Sequence, residues 1–253
     1  MPTEHTTIST PDGNCPAHVL TPEGSGPWPA IIFYADAGGI RPAMVDMARQ
    51  LANAGYVVLL PDPYYRFGAY GPLVPKDVFA GDVGAILGPL MATTGNDKAA
   101  ADTGAFLAWL DTRNDVASGK FGAVGFCMGG GMAIASAASW PDRFGAVASF
   151  HGGNLASDAP ASPHRLVPKL AAEVYLAVAE NDPHYPPDMA VRFEAALTAA
   201  NVPYQTEQYA AAHGWMVPDF PVHNGSEARR GWQAMLAWFD RTLRTTASAP
   251  AAV

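Results

Sequence analysis

Cysteine is scarce in this chain: two occur in 253 residues, Cys15 and Cys127. Two thiols cannot form a disulfide framework, and they make no C-x-x-C pair. The seven histidines are scattered and no H-E-x-x-H occurs, so no metal and no cofactor is expected. Charge is also thin, at 15% of residues, and its balance of 15 Lys+Arg against 23 Asp+Glu gives a net −8 with no basic run. That excludes nucleic acid and anionic membrane surfaces as expected partners. No uninterrupted apolar run approaches the ~20 residues of a membrane span. The opening residues, MPTEHTTIST, lack the basic start and apolar centre of an export signal, so a cytoplasmic setting with reduced thiols is expected.

What the chain does have is apolar side chains, 49% of the total, enough for a large buried core. No repeat or linker divides it, and one α/β domain over residues 1–253 is expected, with 245–253 as a frayed tail. Residues 5–20 read as an antiparallel pair around the turn cluster Pro11-Asp12-Gly13-Asn14. Ala30 to Tyr34 (AIIFY) is short and wholly apolar, the signature of a strand in a mostly parallel sheet with helices on both faces. A helix from Pro42 to Ala54 and a strand from Tyr56 to Leu60 complete a βαβ unit. Helices are expected over 75–90 and 97–110, then strands over 121–126, 146–150, 173–179 and 204–209. Further helices are expected over 187–200 and 225–243, with irregular chain over 154–170.

In such a sheet reactive groups collect at the carboxyl ends of the strands. Phe121 to Gly131, FGAVGFCMGGG, is a strand meeting a lone cysteine and passing at once into a helix. Glycines two residues before and after Cys127 give the turn room, and the helix N-terminus favours a thiolate and a nearby oxyanion. Asp182 follows the strand ending at Ala179, and His213 follows the strand ending at Tyr209. Nucleophile, acid and histidine in that order form a candidate triad: His213 takes the thiol proton, Asp182 orients its imidazole, and Cys127 attacks a carbonyl to form a thioester. Each residue alone has a plainer reading: a buried inert cysteine, an Asp-Pro turn former, a loop histidine. Asp36, after the first core strand, equally suits a helix cap or a bond to local backbone.

The stretches IIFYADAGGIRP, GYVVLLPDPYYR, GFCMGGG, AENDP and HGW resemble the dienelactone hydrolases of the α/β-hydrolase superfamily, from about Ile31 to Phe239. The resemblance implies an α/β-hydrolase fold and hydrolysis of carboxylic esters or lactones. It also implies an oxyanion hole from the backbone N–H groups of Met128 and Ala37, and a carboxylate, Asp36, beside the resting thiol. Family members commonly carry Glu at that position, and those acting on the dienelactone hold its carboxylate with arginines, one shortly after the catalytic histidine. Here that segment reads HGWMVPDFPVH, without arginine. Arg66 is the alternative cation, or else closes its loop against a neighbouring carboxylate. Tyr64, Tyr65, Phe150 and Trp215 are the expected pocket walls. The expected partner is a small-molecule ester or lactone substrate, and the chain is expected to be a monomer or homodimer. Two other classes remain: a non-hydrolytic ligand-binding or redox-sensing protein of the same fold, and an acyltransferase.

Overall fold

Alternation along two central strands builds both halves of the interior. In the strand Ala30–Tyr34, residues Ala30, Ile32 and Tyr34 join one buried cluster while Ile31 and Phe33 join another. In Val57–Pro61, Val57 and Leu59 face the first cluster, and Val58 and Leu60 the second. Successive strand side chains point to opposite faces, so an all-apolar strand requires cover on both.

The structure, a computed structural model, describes residues 3–244; the tail expected to fray, 245–253, lies outside them. In chain order the elements are β1 (Thr3–Thr10), β2 (Gly13–Leu20), β3 (Ala30–Tyr34), α1 (Pro42–Asn53), β4 (Val57–Pro61), α2 (Pro75–Ala80), α3 (Val83–Met91), α4 (Asn96–Asp111) and β5 (Phe121–Phe126). There follow α5 (Met128–Ser139), β6 (Phe144–Phe150), β7 (Glu173–Ala179), α6 (Pro187–Ala199), β8 (Tyr204–Tyr209) and α7 (Gly225–Leu243). The eight strands form one sheet in the order β1-β2-β4-β3-β5-β6-β7-β8. From β4 to β8 all neighbours are parallel, and β1 and β2 add an antiparallel edge. Helices α1 and α7 cover one face through Met44, Met47, Leu51, Met235 and Phe239. Helices α4, α5 and α6 cover the other through Phe106, Leu110, Ile134, Phe193 and Leu197.

Two expectations about elements need correction. The helix expected over 75–90 is two helices, because Gly81 leaves the helical conformation and Asp82 caps a new start by accepting the Ala85 N–H at 3.0 Å. Residues 154–170 are not wholly irregular: Pro163–Arg165 and Val167–Lys169 form short 3-10 turns under α5 and α6.

The β5–α5 junction is the tightest point of the fold. A Cβ at Gly125 would overlap the backbone of Gly129, and one at Gly129 would overlap the carbonyls of Tyr34 and Ala35. Helix α5 therefore lies against β3 and β5 closer than any side chain permits. Gly129→Ala is expected to cost the roughly 1–3 kcal/mol of a forced overpacking, lowering the melting temperature by roughly 2–12 °C. A calorimetric scan checks this, and an unchanged melting temperature contradicts it.

Candidate active site

Cys127 sits between β5 and α5 with φ 53° and ψ −117°, a conformation that non-glycine residues rarely adopt. Its backbone N–H is shared between the Phe150 carbonyl at 3.0 Å and Nδ1 of His151 at 3.1 Å. These bonds fix the turn to the end of β6 and present Sγ above the sheet. His213, on the loop after β8, brings Nε2 to 3.1 Å from Sγ. Its Nδ1 lies 2.8 Å from Oδ2 of Asp182, which is buried past the end of β7. The other oxygen, Oδ1, accepts the His184 N–H at 2.8 Å, so the carboxylate is held from two sides. The three residues read from separate strand ends thus meet in one chain of contacts.

Burial works against a charged His213, but hydrogen bonds to Asp182 and Cys127, and their charges, outweigh it and push its pKa from 6.5 up to about 10. His151 behaves oppositely. Burial, then the neighbouring His213, lowers its pKa well below 6.5, so the ring stays neutral and Nδ1 remains an acceptor. Its Nε2 has no hydrogen-bond partner among the described residues, and its ring meets Trp215 edge-on at 5.1 Å and His213 at 5.2 Å. The second thiol, Cys15, is pushed up to about 12 by burial and then by Asp102 and Asp62, which leaves it unreactive.

Met128 opens α5, where helical N–H groups lack an intrahelical acceptor. Neither its amide nor that of Ala37 has an acceptor among the described residues. Both residues line the same cavity as Cys127. The loop carrying Ala37 is fixed by a buried arginine. Arg41 donates to both oxygens of Asp36, at 2.7 and 2.9 Å, and to both of Asp219, at 2.8 and 3.0 Å. The Asp36 and Arg41 side chains are 0% and 1% exposed, and Asp36 also accepts the Gly38 N–H at 2.8 Å. Both oxygens of Asp36 are thereby committed to Arg41, and the clamp joins the β3 loop to the loop that carries His213.

The cavity above Cys127 has a volume of about 470 Å³. Its walls are Leu73, Val78, Phe79, Val83, Leu87 and Met91 from the α2–α3 region, Met128 and Met132 from α5, Phe220, and His184, Asn154 and His213 on another side. The expected walls require correction, since none of them lines it. Tyr64 is buried behind the β3 loop and donates its hydroxyl to the Ala37 carbonyl at 2.9 Å. Tyr65 bonds Thr10 and Asp102, and Arg66 closes its loop against Asp102 at 2.8 Å and Asp12 at 2.7 Å. Phe150 stacks on Phe126 at 5.4 Å and Trp215 on Tyr209 at 4.8 Å, both within the core. Sequence reasoning missed His151, Arg41 and Asp219. His151 follows directly on β6, the same strand-end position that singled out the other candidates, whereas nothing in the sequence joins Arg41 to a residue 178 positions away.

A profile described as "Dienelactone hydrolase family" matches residues 15–243. The chain belongs to the dienelactone hydrolase family. As a member of this hydrolytic family it is an enzyme with the α/β-hydrolase fold. It is 30% identical over 240 residues to the "Putative carboxymethylenebutenolidase" of Escherichia coli (strain K12), covering 92% of this chain and 85% of that one. It is 26% identical over 200 residues to the "Probable 2-oxo-3-(5-oxofuran-2-ylidene)propanoate lactonase" of Bradyrhizobium sp, covering 78% and 76%. Among solved structures, the "Putative Dienelactone Hydrolase" of Klebsiella pneumoniae subsp. pneumoniae MGH 78578 superposes with a TM-score of 0.84 at 26% identity, over 95% of this chain and 98% of that one.

Two outcomes follow from the charges of this family member. Removing one partner of a buried ion pair strands the other charge, so Arg41→Met is expected to cost about 3–5 kcal/mol of unfolding free energy at pH 7. Urea titration measures it, and a loss under 1 kcal/mol contradicts a buried clamp. Because the folded state raises the pKa of His213, the stability it confers is complete below about 6.5 and is lost as pH climbs towards about 10. The stability gap between wild type and Asp182→Asn should therefore be widest near pH 6 and shrink by pH 10. A gap that widens with pH contradicts the imidazolium.

Proposed function

We propose that this enzyme hydrolyses carboxylic esters or lactones with Cys127 as nucleophile, His213 as general acid and base, and Asp182 as the group that orients His213. The observation that carries the reading is His213 bridging Cys127 Sγ at 3.1 Å and Asp182 at 2.8 Å at the wall of a cavity. With the proton on His213, the Cys127 sulfur adds as a thiolate to the carbonyl carbon, and the carbonyl oxygen takes the negative charge. The free N–H groups of Met128 and Ala37, the first at the positive end of α5, are the donors for that oxygen. On collapse the carbon–oxygen bond to the leaving group breaks and Nε2 of His213 gives its proton to the departing oxygen. A water then surrenders a proton to the same nitrogen and adds to the thioester, expelling the thiolate and releasing the acid. In a lactone the departing oxygen stays tethered, so one product leaves rather than two.

A thiolate leaves more readily than an alkoxide, so the first intermediate reverts unless the substrate's own leaving group is good. The chemistry favours activated esters, enol lactones and thioesters over amides. Asp36 has a structural part here, holding Arg41 and hence the Ala37 loop, rather than acting directly on the thiol.

Cys127→Ala is expected to reduce kcat/KM on a short activated ester by at least ~10³-fold, and His213→Ala by ~10²–10⁴-fold. Undiminished turnover by Cys127→Ala overturns the nucleophile. Absence of turnover by the wild type across an ester and lactone panel favours a ligand-binding protein instead.

A further inference from the structure

The cavity has two unlike sides. His213, His184 and Asn154 form one: the His184 and His213 rings are 4.7 Å apart, and the Asn154 N–H donates to the His184 carbonyl at 2.8 Å. Val78 and Leu87, packed with Leu73 and Met128, form the other, beneath the paired helices α2 and α3. Phe79 and Phe220 meet edge-to-face at 5.2 Å across the margin. Among the described residues no Lys, Arg, Asp or Glu lines the cavity, and Thr94, Asn96 and Asn154 are uncharged. Arg41, which packs over the cavity-lining Phe220, is fully engaged between Asp36 and Asp219, and Arg66 is engaged between Asp102 and Asp12.

We infer that the substrates are uncharged at the acyl end: esters or lactones whose acyl portion is an apolar chain or ring seated against Val78, Leu87 and Met128. The inference rests on the hydrolase reading above. Nε2 of His213 must reach the departing oxygen, so the leaving group takes the His184–Asn154 side and the acyl portion takes the α2–α3 side. A carboxylate carried there loses its hydration and meets no cation, a large penalty for a buried charge. A methylene placed there gains about 0.8 kcal/mol, close to fourfold in kcat/KM. At about 470 Å³ the cavity is of the size that encloses a small organic ligand.

The test compares p-nitrophenyl acetate, butyrate and hexanoate with the mono-p-nitrophenyl ester of hexanedioic acid, which matches the hexanoate in length but ends in a carboxylate. The expected result is a rise in kcat/KM of about fourfold per methylene up to hexanoate, with the hexanedioate at least 100-fold below hexanoate. Phe79 is 49% exposed and lines the cavity, so Phe79→Arg is a substitution the fold tolerates. It is expected to raise the hexanedioate-to-hexanoate ratio at least tenfold. Flat chain-length dependence, hexanedioate turnover within threefold of hexanoate, or an unchanged ratio in Phe79→Arg each overturns the inference while leaving the hydrolase reading intact. Failure to turn over even the acetate overturns both.

Discussion

A single residue held in an unfavourable backbone conformation organises this molecule. Cys127 at φ 53° ends β5 and starts α5 without any intervening loop. A strained conformation of this kind costs on the order of 1–3 kcal/mol and persists only where its surroundings determine it. Here they do so through backbone contact: Gly125 and Gly129 let α5 lie against the strands, and the Phe150 carbonyl and His151 hold the Cys127 amide. The cysteine side chain is left with one direction to point, into the cavity. His213 and Asp182 stand at the ends of β8 and β7, so the parallel register of the sheet sets the spacing of the candidate triad.

The second organising element is the buried Asp36–Arg41–Asp219 clamp. It links the loop that carries the Ala37 amide with the loop that carries His213, so two parts of the candidate site are tied by one guanidinium. Its forked geometry satisfies both carboxylates at once, which a lysine cannot do. The clamp also spends the Arg41 cation, which packs over the cavity-lining Phe220 ring, on structure. On the proposed reading, apolar packing from α2 and α3 takes the place of arginine recognition of a substrate carboxylate.

Much of this was legible in the sequence where the signal is local. The apolar run AIIFY, the glycine-flanked Cys127, the Asp-Pro after β7 and the histidine after β8 each carry their meaning within a few residues, and their strand-end positions suffice to bring them together. Side-chain direction was not legible. Tyr64, Tyr65, Phe150 and Trp215 lie near the site in sequence and in space, yet each turns into the core or towards another loop. The tyrosine hydroxyls find their hydrogen bonds there and Phe150 and Trp215 their ring stacks, among residues as distant in the chain as Thr10 and Tyr209. The actual walls come from α2 and α3, whose break at Gly81-Asp82 reads as a continuous helix by composition. The role of Asp36 shifted for the same reason: its partner Arg41 is local, but the second carboxylate, Asp219, is not.

The most direct measurement is identification of the covalent species. Rapid mixing with an activated ester, acid quench and peptide mass analysis should find the acyl mass on the peptide containing Cys127, released by hydroxylamine and absent from Cys127→Ala. An acyl group on any other residue, or turnover with no acyl-enzyme under conditions that accumulate it in Asp182→Asn, would contradict a thioester at the β5–α5 turn.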